Sequence, residues 1–373
     1  MLCMKLMRSK SAWNSFLLAA AVVGSGVGLA ADSENNLEKS FSVSPGGKLT
    51  IAADRGAINV AVGSEDKVLV KVFRKVTRLS EAEAQKAFAE HEVTFTQEGN
   101  EVTVRAKATR KPSLWRRFWS RLQVRYEVTV PKKFNLDLNT AGGSIGLAEL
   151  CGEALLKTAG GSLKLGLIEG KVTGRTAGGS ITLEGAKGPV DLETSGGSIK
   201  LGAIDGAVRA HTAGGSITLG TASGSANLET AGGNITVTEA SADLRGRTAG
   251  GSITVGKAHA KADVQTSGGS IRVDEAAYSI RAGTSGGSVT VGLASSPQED
   301  CLLESSAGSI RLTAPANLSA ELDAHANAGS VVSDLPVTVQ GEIKRSSLKG
   351  KLGEGGKLIR LRTSAGSIHI LKR

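Results

Sequence analysis

The sequence predicts an all-β chain folded as a parallel β-solenoid (β-helix), with two main strands in each coil. Three observations predict it. The unit Thr140-Ala-Gly-Gly-Ser-Ile145 recurs nine times at a constant spacing of 18 residues, through Thr158, Thr176, Thr194, Thr212, Thr230, Thr248, Thr266 and Thr284. Within each copy apolar and polar residues alternate with the period of a strand. The composition agrees: glycine is 49 of 373 residues, nearly twice the usual level of ~7%, while aromatics are 3%. Glycine does not fall at every third position, which excludes collagen, and 40% hydrophobic residues is too apolar for a disordered chain.

Residues 1–30 read as a secretory signal peptide. Lys5, Arg8 and Lys10 precede the apolar run from Phe16 to Val23, and small residues lead to Ala30, Ala31 and Asp32. The run is shorter than the ~20 residues of a spanning helix, so cleavage is expected after Ala30 or Ala31 and a retained anchor is the alternative. Export to the periplasm, the outer surface or the medium follows from this reading.

Residues 39–135 read as an N-terminal β-rich cap, because an open solenoid edge invites aggregation. Within it 68–72, 92–96 and 101–104 have strand alternation, and Ser80-Glu-Ala-Glu83 is a capping box opening a helix over 80–91. The sequence also places a basic aromatic insert at 107–125.

Residues 136–297 form nine regular coils. Leu136, Val172 and Val208 stand four places before the threonine of their copies, Ile145, Ile181 and Ile217 five after it, and Leu147, Leu183 and Leu219 seven after it. Polar residues such as Asp191, Lys200 and Arg209 lie between, so one face is apolar and the other wet. The paired glycines are expected to reverse the chain through left-handed dihedrals. Nine coils at ~4.8 Å each would span ~43 Å. The threonines are expected to form an inward ladder bonded to backbone or to one another. Asp191 with Arg209, and Arg245 with Asp263 and Arg281, are expected to pair across neighbouring coils.

Residues 298–373 hold degenerate coils and a C-terminal cap. Looser copies of the pattern occur at 49–60, 301–312 and 359–370. They place Cys301 in the core and Cys151 in a turn about eight coils away. A disulfide needs Cα atoms within ~7 Å, so both cysteines are expected to be unpaired.

The net charge of +10 falls to about +7 without the signal segment. Residues 105–133 hold ten basic residues and one acid, Glu127. At their centre Trp115, Phe118, Trp119 and Leu122 follow helical spacing, with Arg116, Arg117, Arg121 and Arg125 around them. Two readings stand for this segment: an amphipathic helix against an anionic membrane surface or envelope polysaccharide, or a helix packed over the solenoid end with its arginines in water. Nucleic acid is not an expected partner of an exported chain, and the oligomeric state is open.

Catalytic motifs are missing. The sequence has no Gly-x-Ser-x-Gly elbow, no His-Glu-x-x-His and no phosphate loop, and its five histidines lack metal-ligand spacing. No catalytic residue, metal or cofactor is expected. A polysaccharide-active β-helix enzyme would need converging carboxylates, and Asp191, Arg209, Arg245 and Asp263 are the best cluster available. A flat hydroxyl array over Ser216/Thr218, Asn234/Thr236 and Ser252/Thr254 is a candidate lattice or glycan surface.

Tyr126-Glu-Val-Thr-Val-Pro131-Lys132, Leu136-Asp-Leu-Asn-Thr140, the Thr-x-Gly-Gly-Ser-Ile units and the ending Thr363-Ser-Ala-Gly366-Ser-Ile368 resemble the exported bacterial "putative adhesin" β-strand-repeat family, a domain of unknown function. The resemblance covers roughly 40–373. It implies a β-solenoid in or on the cell envelope, acting as an adhesin-like binding module or scaffold. The alternatives are a regulatory partner of an envelope-stress sensor, with envelope proteins as partners, and the polysaccharide-active enzyme.

Overall fold

The structure, a computed structural model, describes residues 31–109, 121–339 and 344–373. The signal-peptide expectation falls on 1–30 and lies outside the described residues. Each regular coil contributes two strands, for example Val172–Thr176 and Ile181–Lys187. Each strand pairs in parallel with its equivalent one repeat away, Thr158 with Thr176 and Leu163 with Ile181. The fold is therefore the predicted β-solenoid, two parallel sheets facing one another across a narrow core.

Six positions per coil point inward. In the first coil they are Leu136, Leu138, Thr140, Ile145, Leu147 and Leu150, all buried. The column containing Leu138 alternates in size: Leu156, Gly174, Leu192, Ala210, Leu228, Gly246. A Cβ on Gly174 would meet Leu192 at 2.7 Å and Leu163 at 3.0 Å, so the large side chains fill the space their small neighbours leave.

The threonine column is an inward ladder. Thr158 Oγ1 donates to the carbonyl of Gly143 in the preceding coil at 2.7 Å and accepts from Gly161 N–H at 3.2 Å. The same pair of bonds recurs through Thr284. Ser305 takes the place of threonine in the next coil and keeps both bonds.

The expectation for the paired glycines is corrected. None of those in the regular turns has a positive φ. What the turn demands is close approach of successive coils. A Cβ on the second glycine, Gly179, would lie 2.0 Å from the carbonyl oxygen of Gly161, whereas one on the first, Gly178, would sit 3.7 Å from its nearest neighbour. In agreement, the first position becomes alanine at Ala307, Ala328 and Ala365, while Gly308, Gly329 and Gly366 keep the second.

Sequence order and spatial order differ at both ends. The coil made by Lys48–Ala53 and Ala57–Val62 lies between the first regular coil and a coil made by Glu101–Ala108 and Leu122–Val130. At the other end Leu358–Thr363 and Ile368–Lys372 slot between the coil at Cys301–Ser305 and Ile310–Ala314 and the coil at Ala320–Ala326 and Val331–Ser333. Antiparallel strands then close the ends. Lys67–Leu79 covers Leu122–Val130, His91–Glu98 covers Glu101–Ala108, and Ser347–Leu352 covers Ala320–Ala326. A helix at Glu81–Glu90, opened by the Ser80/Glu83 capping box, packs Ala84, Ala87 and Phe88 into the N-terminal cap. Cys151 and Cys301 are free.

Candidate functional site

In the chain the basic aromatic insert falls between the two strands of the outermost N-terminal coil, Glu101–Ala108 and Leu122–Val130. Ala106 aligns with Ala53 and Thr140, and Tyr126 aligns with Ile58 and Ile145. The stretch from Ala106 to Tyr126 thus replaces a step that takes five residues from Thr140 to Ile145. Trp115, Arg116, Arg117, Phe118 and Trp119 lie outside the described residues. Arg121 donates to the Arg78 carbonyl at 2.5 Å. Leu122 and Arg125 are not helical, as their spacing predicts, but sit in the strand Leu122–Val130. Antiparallel pairing with Lys67–Leu79 imposes this: Leu122 opposes Val76 and turns into the cap core. Arg125 is exposed, 3.1 Å from Glu127 and stacked 4.9 Å above the Phe73 ring.

Beneath the insert's two ends lies a buried polar cluster. Asp54, in the turn after Lys48–Ala53, accepts from Ala108 N–H at 2.8 Å, and His91 Nε2 lies 3.5 Å from its other oxygen. Burial raises the Asp54 pKa, but His91, the Ala108 N–H and Arg55 together bring it below the ordinary carboxylate value. Arg74 donates to the carbonyls of Phe88 and His91 at 3.1 and 3.0 Å. The Tyr126 hydroxyl is buried with no hydrogen-bond partner among the described residues, and burial pushes its ionisation far above normal. The bonds of Asp54 and Arg74 tie cap elements to one another, which is a structural task.

The charged clusters expected on the strand faces are rearranged. Asp191 opposes Arg209 in register, yet its nearest cation is Arg175, at 3.9 Å. Asp263 opposes both Arg245 and Arg281, but its carboxylate is taken by Arg247 at 3.4 Å and Gln265 at 2.9 Å. Side chains two residues apart on one strand lie on the same face, so these diagonal partners compete with the directly opposed ones. In the hydroxyl array Thr218, Thr236 and Thr254 do align, while Ser216 and Asn234 accept backbone N–H groups of the following coil. Those two side chains serve the stack. Cys151 donates to Glu169 at 3.3 Å, and slight burial together with that bond raises its thiol pKa. Among the described residues no group of three or more His, Cys, Asp and Glu side chains could hold a metal ion.

A groove of about 730 Å³ lies on the outer face of the threonine-bearing sheet, near its C-terminal end. Gly283 is among the residues that line it. The outward row on which Gly283 stands carries Arg247 and Gln265 on one side and Glu304, Arg362 and His325 on the other. Ser285 and Ser306 edge it.

With the coils, their turns and their outward rows in view, comparison with known proteins gives one decisive result. The Toastrack DUF4097 family profile matches residues 48–371. The chain belongs to that family. In structure this Toastrack chain is similar to a "putative cell adhesion protein" from Clostridium sporogenes, 14% identical over 91% of this chain and 100% of the other, with a TM-score of 0.16. It is similar to a "putative adhesin" from Bacteroides fragilis, 12% identical over 91% and 98% of the two chains, with a TM-score of 0.24. A third similar structure is a "putative lipid binding protein" from Parabacteroides distasonis, 16% identical over 91% and 97%, with a TM-score of 0.24. No curated protein matches the chain. The Toastrack match begins at Lys48, the first residue of the coil that lies second in space.

Sequence reasoning missed the groove. Its one visible signal is a glycine at 283 in an outward row that carries long side chains from Lys157 to Gln265, and that row becomes apparent only once the register is known.

Proposed function

We propose that this protein is an exported, non-enzymatic, adhesin-like binding scaffold of the bacterial cell envelope. In this reading it attaches at its N-terminal end and presents the long strand faces to a partner. The observation that supports it is where the basic segment leaves the fold. Thr109 and Arg121 lie at the ends of the two strands of the outermost parallel coil, so the Trp- and Arg-rich sequence between them begins and ends at the N-terminal end of the stack. A basic, aromatic segment at that place suits an anionic surface, because arginines meet headgroup charge while tryptophans enter the interface. The outward rows of the nine coils stay free beyond it.

Co-sedimentation of the protein with phosphatidylglycerol-containing and with neutral phosphatidylcholine vesicles tests the attachment, with tryptophan emission as reporter. The expected result is salt-sensitive binding to the anionic vesicles alone, with a blue shift, both lost when 110–120 is replaced by a short Gly-Ser linker. Equal binding by the linker variant, or no binding to either vesicle, would overturn it.

A further inference from the structure

Glycine in the middle of a strand costs stability, and its presence there marks either a packing need or the close approach of something else. Gly283 has no packing need. Its φ is not left-handed, and a Cβ placed on it would meet no heavy atom within 4 Å. It contrasts with Gly174, which a neighbouring leucine fills, and with Gly179, which a neighbouring carbonyl crowds. The effect of Gly283 is to open the outward row between Gln265 and Glu304.

The charges around that opening are unevenly committed. On one wall Arg247 and Gln265 are held by Asp263. On the other, Arg362 is held by Asp323 at 2.5 and 3.1 Å, with Arg360 at 3.7 Å from the same carboxylate. Arg281 is exposed and, among the described residues, has no carboxylate within the 4.0 Å that defines an ion pair; Glu304 is exposed and has no cation there. The Ser285 and Ser306 hydroxyls lie beside them on the groove's rim. Arg281 and Ser285 stand on one coil and Glu304 and Ser306 on the next, one step of ~4.8 Å along the stacking axis. That spacing is close to the length of one pyranose ring.

We propose that the groove over Gly283 binds an acidic glycan running along the stacking axis. A uronate carboxylate would sit on Arg281, and ring hydroxyls would donate to Glu304 and exchange hydrogen bonds with Ser285 and Ser306. Guanidinium matches carboxylate geometry, and a lone carboxylate in a polar groove accepts from sugar hydroxyls. Glu304 also discriminates. It repels a densely charged polyanion, which favours one carboxylate per sugar over sulfated or phosphorylated chains. The proposal deepens the reading of the protein as a binding scaffold and rests on it, but it uses the opposite end of the molecule from the attachment segment.

Titration calorimetry of the purified protein with trigalacturonate, and with the neutral trimer obtained by reducing its carboxyl groups, tests it. Trigalacturonate should bind, the neutral trimer about tenfold or more weaker, a difference of about 1.4 kcal/mol or more. Arg281→Gln should remove that preference. Gly283→Gln, which puts in the side chain already carried at position 265, should abolish binding while leaving the melting temperature unchanged or higher. No heat with trigalacturonate, equal affinity for both trimers, or unaltered binding by Gly283→Gln would each overturn the proposal. The variant with 110–120 replaced should still bind the trimer. Vesicle binding lost with trimer binding retained is a failure of neither reading, and failure in one assay alone identifies which of the two is wrong.

Discussion

Thr212 Oγ1 donates to the carbonyl oxygen of Gly197 at 2.7 Å, across the boundary between two coils, and at once accepts from Gly215 N–H at 3.3 Å in its own turn. One buried hydroxyl thus satisfies two part-buried backbone groups of the narrow turn. Thr212→Val keeps the shape and removes both bonds, leaving a part-buried C=O and a part-buried N–H without that partner. Each such group costs up to about 1–3 kcal/mol. Thr212→Ser should cost only about one methyl group, ~0.8 kcal/mol, because Ser305 makes both bonds in its own coil. Urea denaturation of the two variants checks this, and a valine variant as stable as the serine one would show that the ladder adds nothing.

The turn glycines should divide into two classes. Gly179→Ala drives a methyl to 2.0 Å from the Gly161 oxygen and must push neighbouring coils apart. It should lower stability by several kcal/mol, in the range of severe overpacking. Gly178→Ala places its methyl at ordinary contact distance, 3.7 Å, and should be neutral or stabilising by about 0.4–1 kcal/mol through loss of unfolded-state freedom. A thermal melt of the pair decides it. Equal destabilisation would restore a dihedral explanation for both positions.

The contrast between these glycines shows what could be read from the chain and what could not. The coils were legible because an 18-residue period repeats the pattern of Thr140, Ile145 and Leu147 nine times, and stacking the repeats buries those columns. The physical reason for the second glycine was not, because two glycines in a turn look alike until the neighbouring coil is placed 2.0 Å from one of them. Coil order at the ends was hidden for a related reason. Leu49, Val102 and Leu136 all suit the same column, so the pattern cannot say that Val102 stacks outside Leu49. Helical spacing from Trp115 to Leu122 failed at its last residue, where pairing with Val76 overrides local periodicity. The Gly283 groove needed the register of six coils before one missing side chain became visible.

Tyr126 should tolerate loss of its hydroxyl. The ring is fully buried against the cap, and its OH has no hydrogen-bond partner among the described residues. A buried hydroxyl without a partner carries a desolvation cost and no compensating bond. Tyr126→Phe is therefore expected to leave stability unchanged or raise it by up to about 1 kcal/mol. A loss of more than that in denaturant unfolding would mean that the hydroxyl is bonded in solution.

The N-terminal cap should weaken in acid before the coils do. Asp54 carries the relevant carboxylate: burial raises its pKa, but His91, the Ala108 N–H and Arg55 outweigh this and hold it below its ordinary value. A group with a depressed folded pKa binds protons less readily folded than unfolded, so it adds stability above the unfolded value of ~3.9 and loses it as pH falls through the lower, folded one. Ala108 N–H, bonded to Asp54 Oδ2 at 2.8 Å, is the local reporter. Its protection from hydrogen exchange, corrected for intrinsic rates, should drop below about pH 4 while that of Ala210 in the central coils does not. Asp54→Asn keeps an acceptor for the amide but cannot ionise. In that variant the Ala108 profile should be flat over the same interval and its protection at neutral pH lower. Identical profiles in the two proteins would remove Asp54 as the acid-sensitive link between the Lys48–Val62 coil and the Ala108 strand that stacks on it.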